Sequence, residues 1–495
     1  MSKKVSQIGG GFMKRSTIFL GLVFFVFGAF HTDVLAEKIS TPAQGISATS
    51  QQMSSKITGP LSLQECIDLA IQNNRYRTAS KFAIEIAEAQ YQQALSTYWP
   101  QLAIKSTYTL MDQDPNFIFP SSQISIPSAS ISIPIPEQDL KLMNRQNLLS
   151  SLELTYPVYT GGLRGAIVKQ ASKGLQIAKE EARRTDLQVV YDVRRMYYGA
   201  VLARDLVQIG KDALARMEVT LELTENLYKR GSGRVKKTDY LRNKTVVEGL
   251  RSALAMLQAN EKIVKAALIN TMGLDWDTPI EVSETNLPFT PFQTDLRELV
   301  GNAYSFNPDW AKLQAGLEAT EAKINEAKSG HHPKVALFGN LTHIDNSYHA
   351  GIVTSTNRNS WTVGVGLELP LFNGFRTTNE IKEAYARLGK LKEQKVLLRE
   401  GIALQVKHIF IQMMSAQEQK KASGEAAKAS EENRDLNERA YQEELVETKD
   451  VIEAQLIESF MKAQYQKALF DHIESQAHLD FAIGKEVMKL IQEKK

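Results

Sequence analysis

Residues 361–374 read WTVGVGLELPLFNG, and this stretch indicates the fold of the whole chain. Large apolar side chains occupy every odd position from 361 to 371, whereas small or polar residues fill most of the even positions. A period of two with one apolar side is typical of a β-strand whose two faces meet different surroundings. Pro370 and Gly374 mark a corner at the end of this strand.

The same corner occurs earlier in the chain. Residues 156–162 read YPVYTGG, and both Pro157 and Gly161 precede their counterparts Pro370 and Gly374 by 213 positions. Farther towards the N-terminus the offset is 233, and the matched pairs are Leu63 with Leu296, Glu65 with Glu298, Ile67 with Val300, Ala70 with Ala303, Asn74 with Asn307 and Pro100 with Pro333. The chain is therefore one supersecondary unit repeated twice, and the first unit has about 20 extra residues between its strands.

Each unit is expected to have the order helix, strand, strand, helix. The first unit spans 61–283 and the second 295–488, with a linker at 284–294 and a tail at 489–495. The alternating segments predict strands at about 101–113, 148–159, 334–346 and 360–372. Long segments with helical periodicity predict helical hairpins at about 162–273 and 375–484. The fold class is α+β.

The helical segments are unusually long. Residues 162–228 contain no proline, and one helix of that length would measure about 100 Å at ~1.5 Å per residue. Spacings of three and four mark a coiled-coil seam at Val193, Met196, Ala200, Ala203, Val207, Gly210, Leu214, Met217, Leu221, Thr224 and Tyr228. A second seam, of smaller side chains, is predicted at Ala422, Ala426, Ala429, Asn433, Leu436 and Ala440. Each hairpin should therefore pack as an antiparallel coiled coil.

The N-terminus has the pattern of an export signal. Basic residues precede the apolar run 18–30, and Val34, Leu35 and Ala36 follow as a cleavage pattern. Residues 1–36 are therefore expected to be a signal peptide and 37–60 a flexible lead-in. The net charge of +3 comes from the first 36 residues, where four basic side chains face one acidic side chain. A neutral remainder argues against nucleic acid as a partner.

The sequence offers little for catalysis. Residues 231–238 superficially resemble a phosphate-binding loop but lack the second glycine before the Lys-Ser/Thr pair. His331 and His332 have no third ligand at a useful spacing, and the single cysteine, Cys66, excludes a cysteine cage. We therefore expect no enzyme activity, cofactor or metal.

The predicted sheet poses a physical problem. Its alternation also fits a soluble antiparallel sheet with one buried face, but strand length, aromatic residues near the strand ends and the signal peptide favour a transmembrane sheet. Four strands alone would leave two open edges in lipid, where backbone groups find no partner. Closure with copies of the chain solves this: two copies give eight strands, and three give twelve with room for a lumen.

This arrangement resembles the TolC-like outer-membrane efflux protein family. The resemblance covers residues 61–487 and rests on the two corners at 156–162 and 369–374 and on the hairpin stretches 228–241 and 441–454. It implies a homotrimer whose twelve-stranded transmembrane β-barrel, embedded in outer-membrane lipid, continues as a long α-helical coiled-coil barrel across the periplasm. It also implies the exit duct of a tripartite efflux or type I secretion system, joined to an inner-membrane transporter by a periplasmic adaptor (membrane fusion) protein.

The resemblance further implies a gate at the periplasmic hairpin tips. Asp450 and Glu453 match the acidic ring around the closed mouth, and Tyr441 with Asp239 matches a bond that ties the hairpins together. Tip charges are expected to pair and hold the closed state, with Arg234, Lys236 and Lys237 on the first tip and Glu443, Glu444 and Glu447 on the second. The alternative is that Thr238 caps a helix, Asp239 interacts favourably with the dipole of that helix N-terminus, and the other charges are solvated surface.

This sequence departs from the family pattern at its tips. The first tip is two residues longer than usual, Val446 stands in place of an arginine, and Glu444 stands in place of a glycine.

Two expectations concern the strands. Glu153 and Glu368 lie opposite the apolar positions, so they should face a water-filled lumen. Residues 115–148 should form an extracellular loop of extended chain, longer than the loop at 346–360.

Two other functions remain open from the sequence. A periplasmic coiled-coil adaptor or scaffold would share the signal peptide and the helices, and an outer-membrane enzyme is a third possibility. Neither the cargo nor the pump class is readable from the sequence.

Overall fold

The computed structural model describes residues 59–126, 131–345 and 358–485. The expected signal peptide at 1–36, the tail at 489–495, and most of the segments 37–60 and 346–360 lie outside the described residues. The helices within these ranges are α1 Leu63–Asn73, α2 Arg75–Ser96, α3 Leu163–Lys229, α4 Lys237–Met272, α5 Leu296–Phe306, α6 Pro308–Ser329, α7 Arg376–Gln442 and α8 Thr448–Ile483. None of these helices combines the length and the apolar character that a membrane crossing requires.

The strands of the two units join into one sheet. In chain order the strands are β1 Gln101–Leu110, β2 Asn116–Phe119, β3 Ser122–Ile126, β4 Ile131–Ile135, β5 Gln138–Lys141, β6 Gln146–Tyr159, β7 Lys334–Asp345 and β8 Asn359–Glu368. The main sheet has the order β1, β6, β7, β8, and every neighbouring pair is antiparallel. Since β6 pairs with β7, the first unit is bonded directly to the second, and β1 and β8 form the edges.

Two strands are shorter than the sequence pattern predicted. β1 ends at Leu110 rather than 113, and β8 ends at Glu368 rather than 372. β8 stops two residues before Pro370, which has no backbone N–H to donate to a ladder. The apolar alternation continues past this point, so the pattern alone overestimates the strand.

The register gives the sheet a polar and an apolar face. Glu153 pairs with Asn340, and Glu368 pairs with Lys334, so side-chain alternation places both carboxylates on one face. This face also carries Lys105, Thr107, Ser151, Thr155, Thr342, Ser360 and Thr362. The other face carries Leu102, Ile104, Leu152, Leu154, Leu337, Leu341, Val363, Val365 and Leu367.

The segment between β1 and β6 differs from the simple extended loop that the sequence predicted. β2 pairs with β5, and β3 pairs with β4 inside them, so the segment is a ribbon formed by one long hairpin with two short ladders. The alternation of isoleucine with serine and proline from 122 to 135 has the period of a strand. The prediction of extended chain is therefore confirmed, whereas the pairing of this chain into short strands was not predicted. The tip at 127–130 lies outside the described residues.

Each unit has an equivalent junction, at which one asparagine contacts the ends of three helices. Asn74 ends α1 and begins α2; its side-chain oxygen accepts from the N–H of Tyr76 at 2.9 Å, and its amide donates to the carbonyl of Thr271 at 2.8 Å. Asn307 does the same for α5, α6 and α8, and its amide lies 2.8 Å from the carbonyl of Ala482. One asparagine in each unit thus joins three helix ends, which explains the Asn74–Asn307 match in the sequence.

The apolar core lies around α3, α7 and α8. One cluster packs α1 and α4 against α3 and includes Cys66, Val193, Tyr197, Leu268 and Met272, all fully buried. A second packs α5 against α7 and α8 and includes Leu299, Val406, Ile409, Leu479 and Ile483. These two clusters secure the part of each hairpin that is distant from its tip. A small third cluster, nearer the tips, consists of Met217, Val247 and Ile452.

The seam predicted for α7 is wrong in phase. Ala422, Asn433 and Leu436 are exposed, and 58% of Leu436 is accessible to solvent. The inward positions are instead Ser430, Arg434 and Tyr441. Because a charged residue occupies one of these positions, hydrophobicity alone selects the neighbouring stripe.

Candidate functional site

Both helical hairpins turn in the same way at their tips. Gly231 follows α3 with φ +73°, and Glu444 follows α7 with φ +56°. In each tip this residue and the next, Ser232 or Leu445, donate backbone hydrogen bonds to the last helical turn at 2.8 to 3.1 Å. This left-handed C-cap normally favours glycine. Glu444 therefore occupies a strained position that the first tip fills with glycine.

The return helices begin with equivalent carboxylates. Asp239 accepts from the backbone N–H of Lys236 at 3.0 Å, and Asp450 accepts from that of Glu447 at 3.1 Å. Asp239 also lies 3.6 Å from a guanidinium nitrogen of Arg242. Each aspartate thus caps a helix N-terminus, where a negative charge is favourable.

The tip charges do not pair within one chain as expected. Among the described residues, no ion pair joins Arg234, Lys236 or Lys237 to Glu443, Glu444 or Glu447. The Arg234 guanidinium instead donates to the backbone carbonyl of Glu444, and the Ser232 hydroxyl lies 3.5 Å from the Glu444 carboxylate.

The remaining tip carboxylates of this set stay at the surface. Glu447 pairs with Lys449 at 3.1 Å, which raises the pKa of Lys449 above its ordinary value. Glu443 is exposed.

A buried hydrogen-bond layer lies just above the tips. The Tyr441 hydroxyl is 2.8 Å from the hydroxyl of Thr224 and 3.0 Å from that of Thr448. The Asn243 amide also donates to Thr224 at 3.3 Å, and all four side chains are buried. Within one chain the expected bond from Tyr441 to Asp239 is therefore absent from the described residues. Tyr441 still ties the two hairpins together, but through Thr224.

A second layer follows one turn farther from the tips. The Gln455 amide donates to the Thr220 hydroxyl at 3.0 Å and to the Glu438 carboxylate at 2.7 Å. Thr220 belongs to α3, whereas Gln455 and Glu438 belong to α8 and α7. This layer therefore also crosses between the hairpins.

The third layer is charged. Glu458 is completely buried, and its carboxylate lies 3.1 Å from Arg216, 3.4 Å from Arg434 and 2.7 Å from Lys462. Lys462 also reaches Glu431 at 2.9 Å. We call these three sets of contacts the Tyr441, Gln455 and Glu458 layers.

Sequence reasoning missed most of these layers. It placed Thr224 in the seam of α3 but gave no role to Thr220, Gln455 or Glu458. The available signal was the spacing 448, 451, 455, 458, 462 along α8, which has seam periodicity but carries polar side chains at most positions.

The described residues contain no metal centre. Nowhere in these ranges do three or more His, Cys, Asp or Glu side chains cluster as metal ligands. Cys66 is fully buried, and burial raises the pKa of its thiol to about 12, so it stays protonated.

Comparison with known proteins identifies the family. Residues 66–274 and 299–485 match the family described as outer membrane efflux protein. The chain belongs to the outer membrane efflux protein family. The resemblance to TolC-like efflux proteins is thereby confirmed, and the matched family consists of channel proteins.

Relatives in the efflux family are distant. Protein CyaE of Bordetella pertussis is 25% identical over 51% of this chain and 52% of its own length. The outer membrane protein OprJ of Pseudomonas aeruginosa is 24% identical over 68% of this chain and 65% of its own. The chain thus spans about half the length of some curated relatives that it matches.

The fold is that of the efflux family. The crystal structure of the outer membrane protein VceC from Vibrio cholerae superposes with a TM-score of 0.69, covering 86% of this chain and 96% of VceC at 18% sequence identity. The duplicated helix–strand–strand–helix fold is thereby confirmed.

The other residues assigned by resemblance to the efflux family lie in two places. Glu453 is exposed on α8, one turn beyond Asp450. Glu153 pairs with Lys105 at 2.6 Å on the polar face of the sheet, and Glu368 is exposed on the same face. The structure of one chain therefore groups the first pair near the tips and the second pair on the sheet.

Proposed function

We propose that this protein is the outer-membrane exit duct of a tripartite efflux or type I secretion system. It acts as a passive conduit, without a catalytic step or a cofactor. Family membership and the fold support this function, and the two-faced sheet is the observation that carries it. An adaptor confined to the periplasm has no use for a sheet with a continuous apolar face.

The working unit is a homotrimer. Each chain offers a sheet with β1 at one edge and β8 at the other, and both edges leave backbone groups unpaired. Pairing β8 of one copy with β1 of the next closes twelve strands without an edge. The apolar face then meets lipid, and the polar face, with Glu153 and Glu368, lines a wet lumen.

The gate lies at the periplasmic tips. The Tyr441 and Gln455 layers hold the two hairpins of one chain together with hydroxyl and amide groups, whose bonds water can replace when the hairpins part. Glu453 and Asp450 lie where three copies would bring six carboxylates to a constriction. An adaptor protein binding the tips opens this mouth, and an inner-membrane transporter supplies the cargo and the energy.

Fractionation and electrophysiology test the duct. The protein should sediment with outer membranes, resist carbonate extraction, migrate as a heat-modifiable trimer and form channels in planar bilayers. Recovery as a soluble periplasmic monomer would instead support the adaptor hypothesis.

The gate has its own test. Asp450→Asn with Glu453→Gln removes the charges, while the amide oxygen at 450 still accepts the capping bond from Glu447. We expect this double variant to lose block by multivalent cations, since the attraction is electrostatic. Lys449→Gln is the matched surface control. Unchanged block in the double variant would mean that these carboxylates are ordinary surface groups.

A further inference from the structure

The Glu458 layer is the unusual feature of the helical hairpins. Glu458 has no accessible surface, although it carries a carboxylate and lies only ten residues from the start of α8, about 15 Å along the helix. Burial of a charge is costly unless several partners compensate for it. Three cations contact this one carboxylate, and they come from three helices: Arg216 from α3, Arg434 from α7 and Lys462 from α8 itself.

Only one of these contacts crosses between the hairpins. Arg434 and Lys462 belong to the same hairpin as Glu458 and move with it, whereas Arg216 belongs to the other. Within this layer, the bond from Arg216 to Glu458 is therefore the charged link between the hairpins. Farther from the tips, Arg194 with Asp480 and Arg195 with Glu474 also join α3 to α8. In the described part of the chain, it is the link nearest to the tips that involves a fully buried carboxylate.

The two buried hydrogen-bond layers closer to the tips are weaker. At the tips themselves Arg234 also donates across the hairpins to the carbonyl of Glu444, but this bond is exposed to water. Thr220 with Gln455 and Thr224 with Tyr441 are contacts between uncharged groups. A hydrogen bond with a charged partner is roughly twice as strong as a neutral one. If the hairpins are pulled apart from the tips, the Tyr441 and Gln455 layers separate first and the Glu458 layer last.

We propose that the Arg216–Glu458 link sets how far the hairpins part when the gate opens. The segment between the tips and the Gln455 layer opens, and the Glu458 layer holds the hairpins together above it. Glu458 is thus a positioning residue of the gate. This inference rests on the proposed duct function.

The test uses single-channel recording of the full-length protein in planar bilayers. The background variant Tyr441→Phe with Thr224→Val weakens the first layer and should show a raised conductance. Glu458→Gln is then added, because glutamine keeps the shape and loses the charge. Glu431→Gln is the matched control, since Glu431 contacts Lys462 within one hairpin and does not cross to α3.

The expected result is specific to the crossing pair. In the weakened background, Glu458→Gln should add a conductance level above that of the background, occupied on the order of tenfold more often, as expected for the loss of one charged bond. Arg216→Met should give the same level, because methionine keeps an apolar stem without the guanidinium. Combining Arg216→Met with Glu458→Gln should add nothing to either change, since both break one link.

Several results would overturn the proposal. Equal effects of Glu431→Gln and Glu458→Gln would indicate a general change of charge, and no effect of either Glu458→Gln or Arg216→Met would exclude a role in opening. If Glu458→Gln does not assemble, Arg216→Met carries the test alone. If the Tyr441→Phe, Thr224→Val variant and the unchanged protein form no channel at all, the duct function itself is contradicted. This outcome differs from a failure of the Glu458 proposal, in which channels form but Glu458→Gln does not alter them.

Discussion

Gly273 allows a quantitative test of the junction that holds each unit together. It ends α4 with φ +71°, and an added Cβ would lie against the carbonyl oxygen of Asn73 and 2.7 Å from its carbonyl carbon. Gly231, at the first tip, has nearly the same φ of +73°, but nothing lies within 4 Å of its added Cβ. The two glycines therefore share a backbone conformation and differ in surroundings.

Alanine should cost more at Gly273 than at Gly231. The left-handed conformation costs about 1 to 2 kcal/mol for a residue with a Cβ, and this cost applies at both positions. At Gly273 the backbone of Asn73 must also move, which stretches the bond from the neighbouring Asn74 to Thr271, now 2.8 Å, and forfeits about 1 kcal/mol. We expect a total of roughly 2 to 3 kcal/mol for Gly273→Ala.

Urea unfolding in detergent micelles, followed by far-ultraviolet circular dichroism, measures this difference. The second unit provides a repeat of the experiment, because an added Cβ at Gly484 would lie 2.9 Å from the carbonyl carbon of Phe306. Gly484→Ala should therefore behave like Gly273→Ala. Equal losses for Gly273→Ala and Gly231→Ala would refute the steric argument.

Three further predictions follow from the strands and the second tip. Val365→Arg places a charge on the apolar face and should cost roughly 2 to 4 kcal/mol near the midplane of a bilayer. Glu368→Leu, on the polar face, should leave trimer assembly on gels intact. Equal loss of trimers in both variants would mean that the two faces are assigned wrongly. Deleting 123–136 should leave trimers intact, because this ribbon pairs only with itself, and loss of trimers would contradict its placement outside the barrel. Glu444→Gly should raise the free energy of unfolding by about 1 kcal/mol by relieving a positive φ, and a loss of stability would show that contacts of the Glu444 side chain outweigh the strain.

The strands and corners were predictable because their physics is local. Side-chain alternation follows directly from the pleat of a strand, and Pro157, Pro370 and the glycines of the corners act within a few residues. Because the chain is duplicated, each element occurs twice in the sequence, and the match between Asn74 and Asn307 was visible for that reason. The structure gives that pair a function, since each asparagine joins three helix ends.

The tip contacts were not predictable in the same way. By resemblance, Asp239 and Asp450 were assigned to a link and to an acidic ring, but each caps its own helix in the structure of one chain. The alternative placed Asp239 correctly at a helix N-terminus, whereas its expectation that Thr238 is the capping residue was wrong, because the helix begins at Lys237. The choice between capping and pairing depends on distances between helices, which no sequence pattern contains. The same holds for α7, where the inward-facing Arg434 pairs with Glu458 on another helix, a contact that the sequence of α7 alone does not contain.

Within the helical hairpins, the two repeats differ most at the tips. The junctions have kept the same asparagine and glycine in both units, and both asparagines make the same two kinds of bond. The tips have diverged: seven residues separate α3 from α4, but only five separate α7 from α8. The first tip is basic and the second acidic. In a closed ring of copies the junctions of the two units must have the same geometry, because each junction supports the base of a long helix. The two tips need not be alike, and a basic tip beside an acidic tip can bind a partner that carries the opposite charges. Tips that diverge beside matching junctions are therefore consistent with a rigid base and a gate that responds to binding, and the Glu458 layer lies between these two regions.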